Sequence, residues 1–245
     1  MSGVALAWEQ FRLERKLFWR NPSAAFFSFI LPLTLLLRVA SVFADDPSEL
    51  DVLIPGVAGM SVMATTFNAM AYNLTFLREQ GILKRMRGTP MPTASYFAGF
   101  LGNSVANAFV QVGLVIVAGH FLYDVSWPKD WFELAVFTAV GVVTFGSLGI
   151  ALSHAIPNFD STSAYVNALF LPAIMISGVF YSSDSLPAGL AAIAEVLPLK
   201  HVIDGFSDAI VTGQGITHEL GALAVLALWG VAGITLAIRG FKWER

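Results

Sequence analysis

The sequence predicts an all-α membrane protein: six transmembrane helices, an N-terminal interfacial helix, and a broken outer helix pair before the last span. Three observations carry this. Of the 245 residues 56% are hydrophobic and only 13% are charged, where a soluble domain carries about 25% charged residues. The apolar residues fall into six runs, each near the roughly 20 residues that a helix needs to cross a hydrocarbon core. Lysine and arginine cluster beside some ends of those runs and avoid others. So much apolar surface excludes an ordinary cytosolic enzyme or a disordered chain, and a net charge of −3 excludes a nucleic-acid binder, which needs a basic surplus. Cysteine is absent, which removes disulfides, thiolate metal sites and lipidated cysteine.

The N-terminal segment, residues 2–21, reads as a helix closed by Asn21-Pro22. Arg12, Lys16 and Arg20 fall four apart on one stripe; Val4, Trp8, Phe11 and Phe18 form a second face, and Leu6, Leu13 and Leu17 a third. Such a helix touches both headgroups and protein; a solvated positive anchor is the alternative. The first span covers 23–43, interrupted by Pro32 and Arg38. Reading it as a signal peptide cleaved after Val42-Phe43-Ala44 fails, because its apolar stretch exceeds the usual h-region of about 7–15 residues.

The second span, 52–77, has no charged residue, and the third, 93–122, only His120. Between them, residues 78–92 are basic, and a short helix is expected there, stopped by Gly88 and Pro90. Ile82, Leu83 and Met86 add an apolar face to it, so it reads either as a docking element for another protein or as a plain topogenic loop. The fourth span is 131–153 with Glu133 in its first turn, the fifth 163–181 and the sixth 220–238.

Residues 187–211 are long enough to cross but contain Glu195, Lys200, His201, Asp204, Asp208 and a central Pro198. A charged side chain at a helix centre costs about 2.5–3.5 kcal/mol. The segment therefore reads as two short helices, the first capped by Asp184 or Ser185, lying in the outer interface or dipping in and returning. It is either a lid or an exit gate, with Pro198, Lys200, Asp204 and Asp208 as the gate residues.

Eleven of the 14 basic residues precede span one or follow spans two and six, leaving Arg38, Lys129 and Lys200 for the other side. The positive-inside rule then puts both termini and the loop after span two in the cytoplasm, as an even number of spans requires. The loop after span four has no lysine or arginine and is neutral.

Polar residues inside spans glue helices or line a path. Asn103, Asn107 and Gln111 make one stripe in span three, Asn68 and Tyr72 share a face of span two, and Asn167 sits in span five. These six are the candidate path, with packing as the rival reading. Gly141, Phe145 and Gly149, and Gly230 with Gly233, read as close helix contacts. No span has an acidic residue near its middle, so a proton- or sodium-coupled carrier lacks its relay. His-Glu-x-x-His and a phosphate-binding Gly-x-x-x-x-Gly-Lys-[Ser/Thr] loop are both missing, so the chain has no catalytic residues, metal or ATP site of its own.

The order of these parts resembles the membrane subunit of type 2 ABC exporters, most of all the daunorubicin-resistance-like permeases. Arg78-Glu79-Gln80-Gly81 through Lys84-Arg85 to Thr89-Pro90 is similar to the family's Arg-Glu-x-Gly…Lys-Arg…Thr-Pro stretch. Leu197-Pro198-Leu199 is similar to its Asn-Pro-Leu segment, with Leu197 departing from the usual Asn, and Phe241-Lys242-Trp243-Glu244 to its basic-aromatic tail. The resemblance implies a multi-pass protein of a prokaryotic inner or plasma membrane, a second copy or related permease, and two separate ATPase subunits that hold ATP and Mg. It makes Arg78, Glu79, Gly81, Ile82, Leu83, Lys84, Arg85, Met86 and Arg87 the element coupled to the ATPase, with the N-terminal helix alongside. The cargo it implies is an amphipathic drug, a lipid or a polysaccharide, moved outward. The rivals are a membrane assembly or immunity factor that transports nothing, and an ion-coupled carrier.

Overall fold

Helix α7, Trp131–Ala155, is the axis on which the computed structural model is built. Its N-cap is Asp130, whose carboxylate accepts from the backbone N–H groups of Phe132 at 2.9 Å and Glu133 at 3.0 Å, satisfying two of the orphan donors of the first turn. It ends before Ile156-Pro157, where proline disfavours further helix. Residues 3–42, 47–87, 92–181 and 187–240 are described, and among them every regular element is helical.

The remaining elements are α1 (Gly3–Trp19), α2 (Pro22–Ala40), α3 (Pro47–Met63), α4 (Ala69–Glu79), α5 (Ile82–Arg87), α6 (Thr93–Tyr123), α8 (Thr162–Ile176), α9 (Ala188–Ala194), α10 (Pro198–Ser207) and α11 (Leu220–Gly240). A π-turn, Ala64–Asn68, joins α3 to α4 into one rod, and a second, Asp208–Thr212, closes α10. Four rods are long and apolar enough to cross a membrane: Ser48–Glu79, Ser95–Tyr123, Trp131–Ala155 and Leu220–Gly240. They match predicted spans two, three, four and six. The first and fifth predicted spans are helical too, but their apolar helices are shorter, Ser28–Ala40 and Thr162–Ile176. Fifteen residues reach about 22 Å, less than the roughly 30 Å core. Past α8 the chain turns instead of continuing, and the Val179 carbonyl then packs on Gly56, where a Cβ would stand 2.1 Å from its oxygen.

The predicted close contacts form. Against Gly149 a Cβ would meet the Phe67 carbonyl oxygen at 2.5 Å, and against Gly233 the Ser147 hydroxyl at 2.4 Å. With the backbones that near, Thr144 Oγ1 donates to the Leu226 carbonyl at 3.0 Å and Ser147 Oγ to that of Gly230 at 3.3 Å, a polar seam of the kind small residues permit between membrane helices. Phe137, Phe145 and Phe206 fill the centre.

Helix α1 runs lengthwise along the first half of α6. Ser95 donates to the Gly3 carbonyl, Gly99 lies under Ala7 and Gln10, Gly102 under Phe11, and Asn107 opposite Arg15. Helix α2 continues along the second half, where Tyr123 donates to the Leu37 carbonyl at 3.0 Å. One end of the bundle thus gathers α1, Arg78, Lys84, Arg85 and Arg239; Arg38 and Lys129 lie at the other, while Lys200 sits at the deep start of α10, near mid-bundle, where Val202 meets Gly141 and the Val196 carbonyl meets Trp229. These are called the basic end and the opposite end.

The second helix of the 187–211 segment is packed inside the bundle. Helix α10 starts at Pro198 and wedges its buried Leu199, Val202, Ile203 and Phe206 between α3, α7 and α11. Its ten residues extend about 15 Å, packed within the bundle and not along its surface. The proposed caps Asp184 and Ser185, the stop Gly88–Pro90, the cleavage residues Phe43–Ala44 and the tail Phe241–Glu244 lie outside the described residues.

Candidate functional site

At the basic end the last turn of α4 is clamped to the α7–α8 connection. The Arg78 guanidinium donates to the carbonyl oxygens of Ser153 at 2.7 Å and Ile156 at 2.6 Å. These are acceptors at a helix C-terminus that intrahelical bonding leaves open, and a cation there also suits the helix dipole. Next to it Glu79 Oε2 accepts from the Phe159 backbone N–H at 2.5 Å. Phe159 packs edge-on against both Phe76 and Tyr72, and Thr75, Arg78, Glu79 and Pro157 line a small polar cleft. The sequence offered only a neutral reading of this connection. The signal present was a helix end without a donor of its own.

From the clamp, Gly81 turns the chain into α5 with φ +65° and open space around it, a conformation that costs a residue with a Cβ about 1–2 kcal/mol. Helix α5 then presents Lys84 and Arg85 outward, while Ile82 is half-buried. The apolar knob needs correcting: Leu83 is 3% exposed, turned into the protein as the anchor of α5. The backbone of Met86 and Arg87 completes the helix; their side chains lie outside the described residues.

The polar stripe of α6 is buried, with Gln111 fully enclosed. Asn107 is not free: its Oδ1 accepts from Arg15 at 2.6 Å, so α1 reaches into the stripe across 92 residues of sequence. Asn103 Oδ1, both amide atoms of Gln111 and Asn68 Oδ1 have no partner among the described residues. Buried polar atoms left so are costly without water or a ligand. Asn68 lies in the first π-turn, a feature often found at functional positions, and periodicity gave no sign of it. Tyr72 belongs to the aromatic cluster at the clamp. Asn167 is exposed on α8 and donates to Ser163 Oγ at 3.2 Å, away from the other five.

The proposed gate residues divide along α10, which runs from mid-bundle at Pro198 to the opposite end at Asp208. Lys200 Nζ bridges Asp204 at 2.7 Å and Glu195 at 3.2 Å, stapling the end of α9 to α10. Pro198 opens α10. The turn before it is pinned by Trp229 Nε1 donating to the Val196 carbonyl at 2.8 Å. Asp208 lies apart, buried in the second π-turn, where its Oδ1 accepts from the Gln214 N–H at 3.2 Å. Its near charged neighbour is Glu133, fully buried with both carboxyl oxygens unpartnered among the described residues. The Ala209 carbonyl takes the N–H groups of Lys129 and Asp130, and Lys129 Nζ reaches the Val211 carbonyl. The α6–α7 loop and the π-turn are thereby one unit.

Compared with known proteins, residues 4–211 match the family described as ABC-2 type transporter. The linearmycin resistance permease protein LnrN of Bacillus subtilis (strain 168) is 24% identical over 182 residues, 74% of this chain and 46% of its own length. The inner membrane transport permease YadH of Escherichia coli (strain K12) is 24% identical over 159 residues, 65% of this chain and 62% of that protein. Nodulation protein J of Rhizobium leguminosarum bv. viciae is 26% identical over 187 residues, 76% of this chain and 71% of that protein. The chain thus spans about half the length of the first and three-fifths of the second.

Proposed function

This chain belongs to the ABC-2 type transporter family, a multi-pass membrane permease, and from that premise we propose that it is the permease subunit of an ATP-driven exporter. Two separate ATPase subunits hold the ATP and Mg. The elbow of α4, Gly81 and α5 is the observation that carries this. A short helix with Lys84 and Arg85 facing outward hangs from a rod that Arg78 and Glu79 bolt to the next helix pair. When the ATPases close they push on α5, and the clamp delivers the displacement to the end of α7 and the start of α8 as well as to α4.

The basic end faces the cytoplasm of a prokaryotic inner or plasma membrane, with both termini there. A second copy of the permease, or a related one, covers the exposed apolar surface of α8 at Tyr165, Leu169 and Met175. Cargo passes the polar atoms of Asn68, Asn103, Asn107 and Gln111 and leaves beside α9 and α10. The linearmycin resistance relative favours an amphipathic drug over a lipid or polysaccharide, because resistance follows from moving a compound outward.

Mild-detergent purification from the native membrane, with mass spectrometry of what stays bound, tests the reading. A stoichiometric soluble ATPase that leaves on reversing Lys84 and Arg85 to Glu is the expected result. No ATPase even under cross-linking would overturn it in favour of a non-transporting assembly or immunity factor. Transport that follows an ion gradient without ATP would leave an ion-coupled carrier.

A further inference from the structure

Two rows of side chains run along the second half of α1 and one residue past its end. Phe11, Arg15 and Trp19 recur every four residues, and Arg12, Lys16 and Arg20 do the same beside them. At about 100° per residue the Arg12 row points almost directly away from the row of Gln10 and Glu14. Gln10 packs on Gly99 of α6, so the cations face off the protein. Together the six side chains line one shallow groove.

The charge of that groove is uncompensated. Lys16 and Arg20 have no acidic partner among the described residues, and Arg12 meets only Glu9, at 3.3 Å on an exposed face. Glu14 is on the far side, half-buried and hydrogen-bonded to Gln10 at 2.7 Å. Arg15 is fixed in the groove wall by Asn107 and by the Trp19 ring, 5.7 Å from its guanidinium carbon.

The groove also has an apolar continuation. Trp19 stacks on Phe29 of α2, and past the break at Asn21-Pro22 the outer face of α2 exposes Phe26 and Ile30 one turn apart. A soluble anion has no use for that wall, whereas a lipid has both a head for the cations and a chain for the wall. Tryptophan beside arginine and lysine is also what the headgroup layer selects.

We propose that α1 carries a binding site for an anionic phospholipid, its headgroup phosphate held by Arg12, Lys16 and Arg20 and its acyl chain lying along Phe26 and Ile30 of α2. Arg15 joins this site to the polar stripe through Asn107, so an occupied groove fixes α1 against α6.

The test is native mass spectrometry of the full chain released from nanodiscs of phosphatidylcholine doped with phosphatidylglycerol. The wild type is expected to retain phosphatidylglycerol selectively. Replacing Arg12, Lys16 and Arg20 by Gln should lower that retention roughly 100-fold, the usual worth of three juxtamembrane cations, and Lys16→Gln alone several-fold. Arg239→Gln, an exposed cation at the same end, should leave it unchanged. Retention that survives the triple change, or that falls equally with Arg239→Gln, overturns the site. Displacement of the lipid by glycerol 1-phosphate as readily as by phosphatidylglycerol would reduce it to a free-phosphate site and overturn the lipid assignment. Should the triple variant not fold, the Lys16→Gln and Arg239→Gln comparison decides alone.

Discussion

Arg78 donates to the Ile156 carbonyl at 2.6 Å across 78 residues of sequence, and this bond ties the end of α4 to the end of α7. A half-buried charged donor to two carbonyls is worth about 1.5–3 kcal/mol per bond. Arg78→Gln is expected to insert normally yet lose most ATP-coupled transport while the ATPase stays bound. Reconstituted transport and ATP hydrolysis, measured on the same preparation, check it. Undiminished transport in Arg78→Gln would remove the clamp from the coupling route.

Lys84 and Arg85 face outward and Leu83 faces inward, so the three should separate contact from stability. Reversing both cations to Glu should release the ATPase while lowering the melting temperature less than Leu83→Ala does. Leu83→Ala should lower the melting temperature first, at about 2 kcal/mol for an emptied buried leucine site. Differential scanning fluorimetry beside pull-down distinguishes the two. A Leu83→Ala protein of full stability that no longer binds the ATPase would restore the apolar-knob reading.

Gly81 has free space around it but a left-handed backbone. Gly81→Ala is therefore expected to cost about 1 kcal/mol through conformation alone, with no clash. Transport should fall further than melting temperature, since α5 loses its direction. Gly81→Asn, which tolerates this region better, should recover part of the loss, and equal defects in the two variants would contradict the account.

Glu133 has two unpartnered, fully buried oxygens near Asp208. Two carboxylates this close repel when both are charged, and neutralising one removes that repulsion. Glu133→Gln should gain about 1 kcal/mol, or roughly 2–4 °C, in a detergent melt. A large loss of stability instead would mean that the carboxylate binds something the bundle needs.

Glu14 sits half-buried between α1 and α6, and burial raises its pKa against the smaller lowering effect of its bond to Gln10. A carboxyl whose folded pKa is raised favours the folded state at pH values below its unfolded value of about 4.5. It loses that contribution as pH rises through the raised folded pKa. Docking of α1 should therefore weaken on going from pH 4.5 toward neutrality, and Glu14→Gln should flatten the slope. Trp8 and Trp19 fluorescence melts across that range are the measurement; an unchanged slope in the variant would place the pH dependence elsewhere.

Hydrophobic runs and their Pro and Gly punctuation made the helices legible: residues 93–122 form α6 within a residue at its far end, and 131–153 lie inside α7. The glycine seams were legible too, because a missing side chain can be read without a partner in view. The clamp was not. Arg78 reads as one more topogenic cation until the carbonyls of Ser153 and Ile156 are placed beside it, and carbonyls carry no sequence signal.

The sequence by itself determined the solvent, the helices and the gathering of most basic residues toward one end, all set by local composition and period. Tertiary structure alone decided three further matters. It turned Leu83 inward, drew α10 in between α3, α7 and α11, and spent Arg15 on Asn107. Each depends on which neighbour fills the space beside a side chain, and that is fixed by packing between segments far apart in the chain.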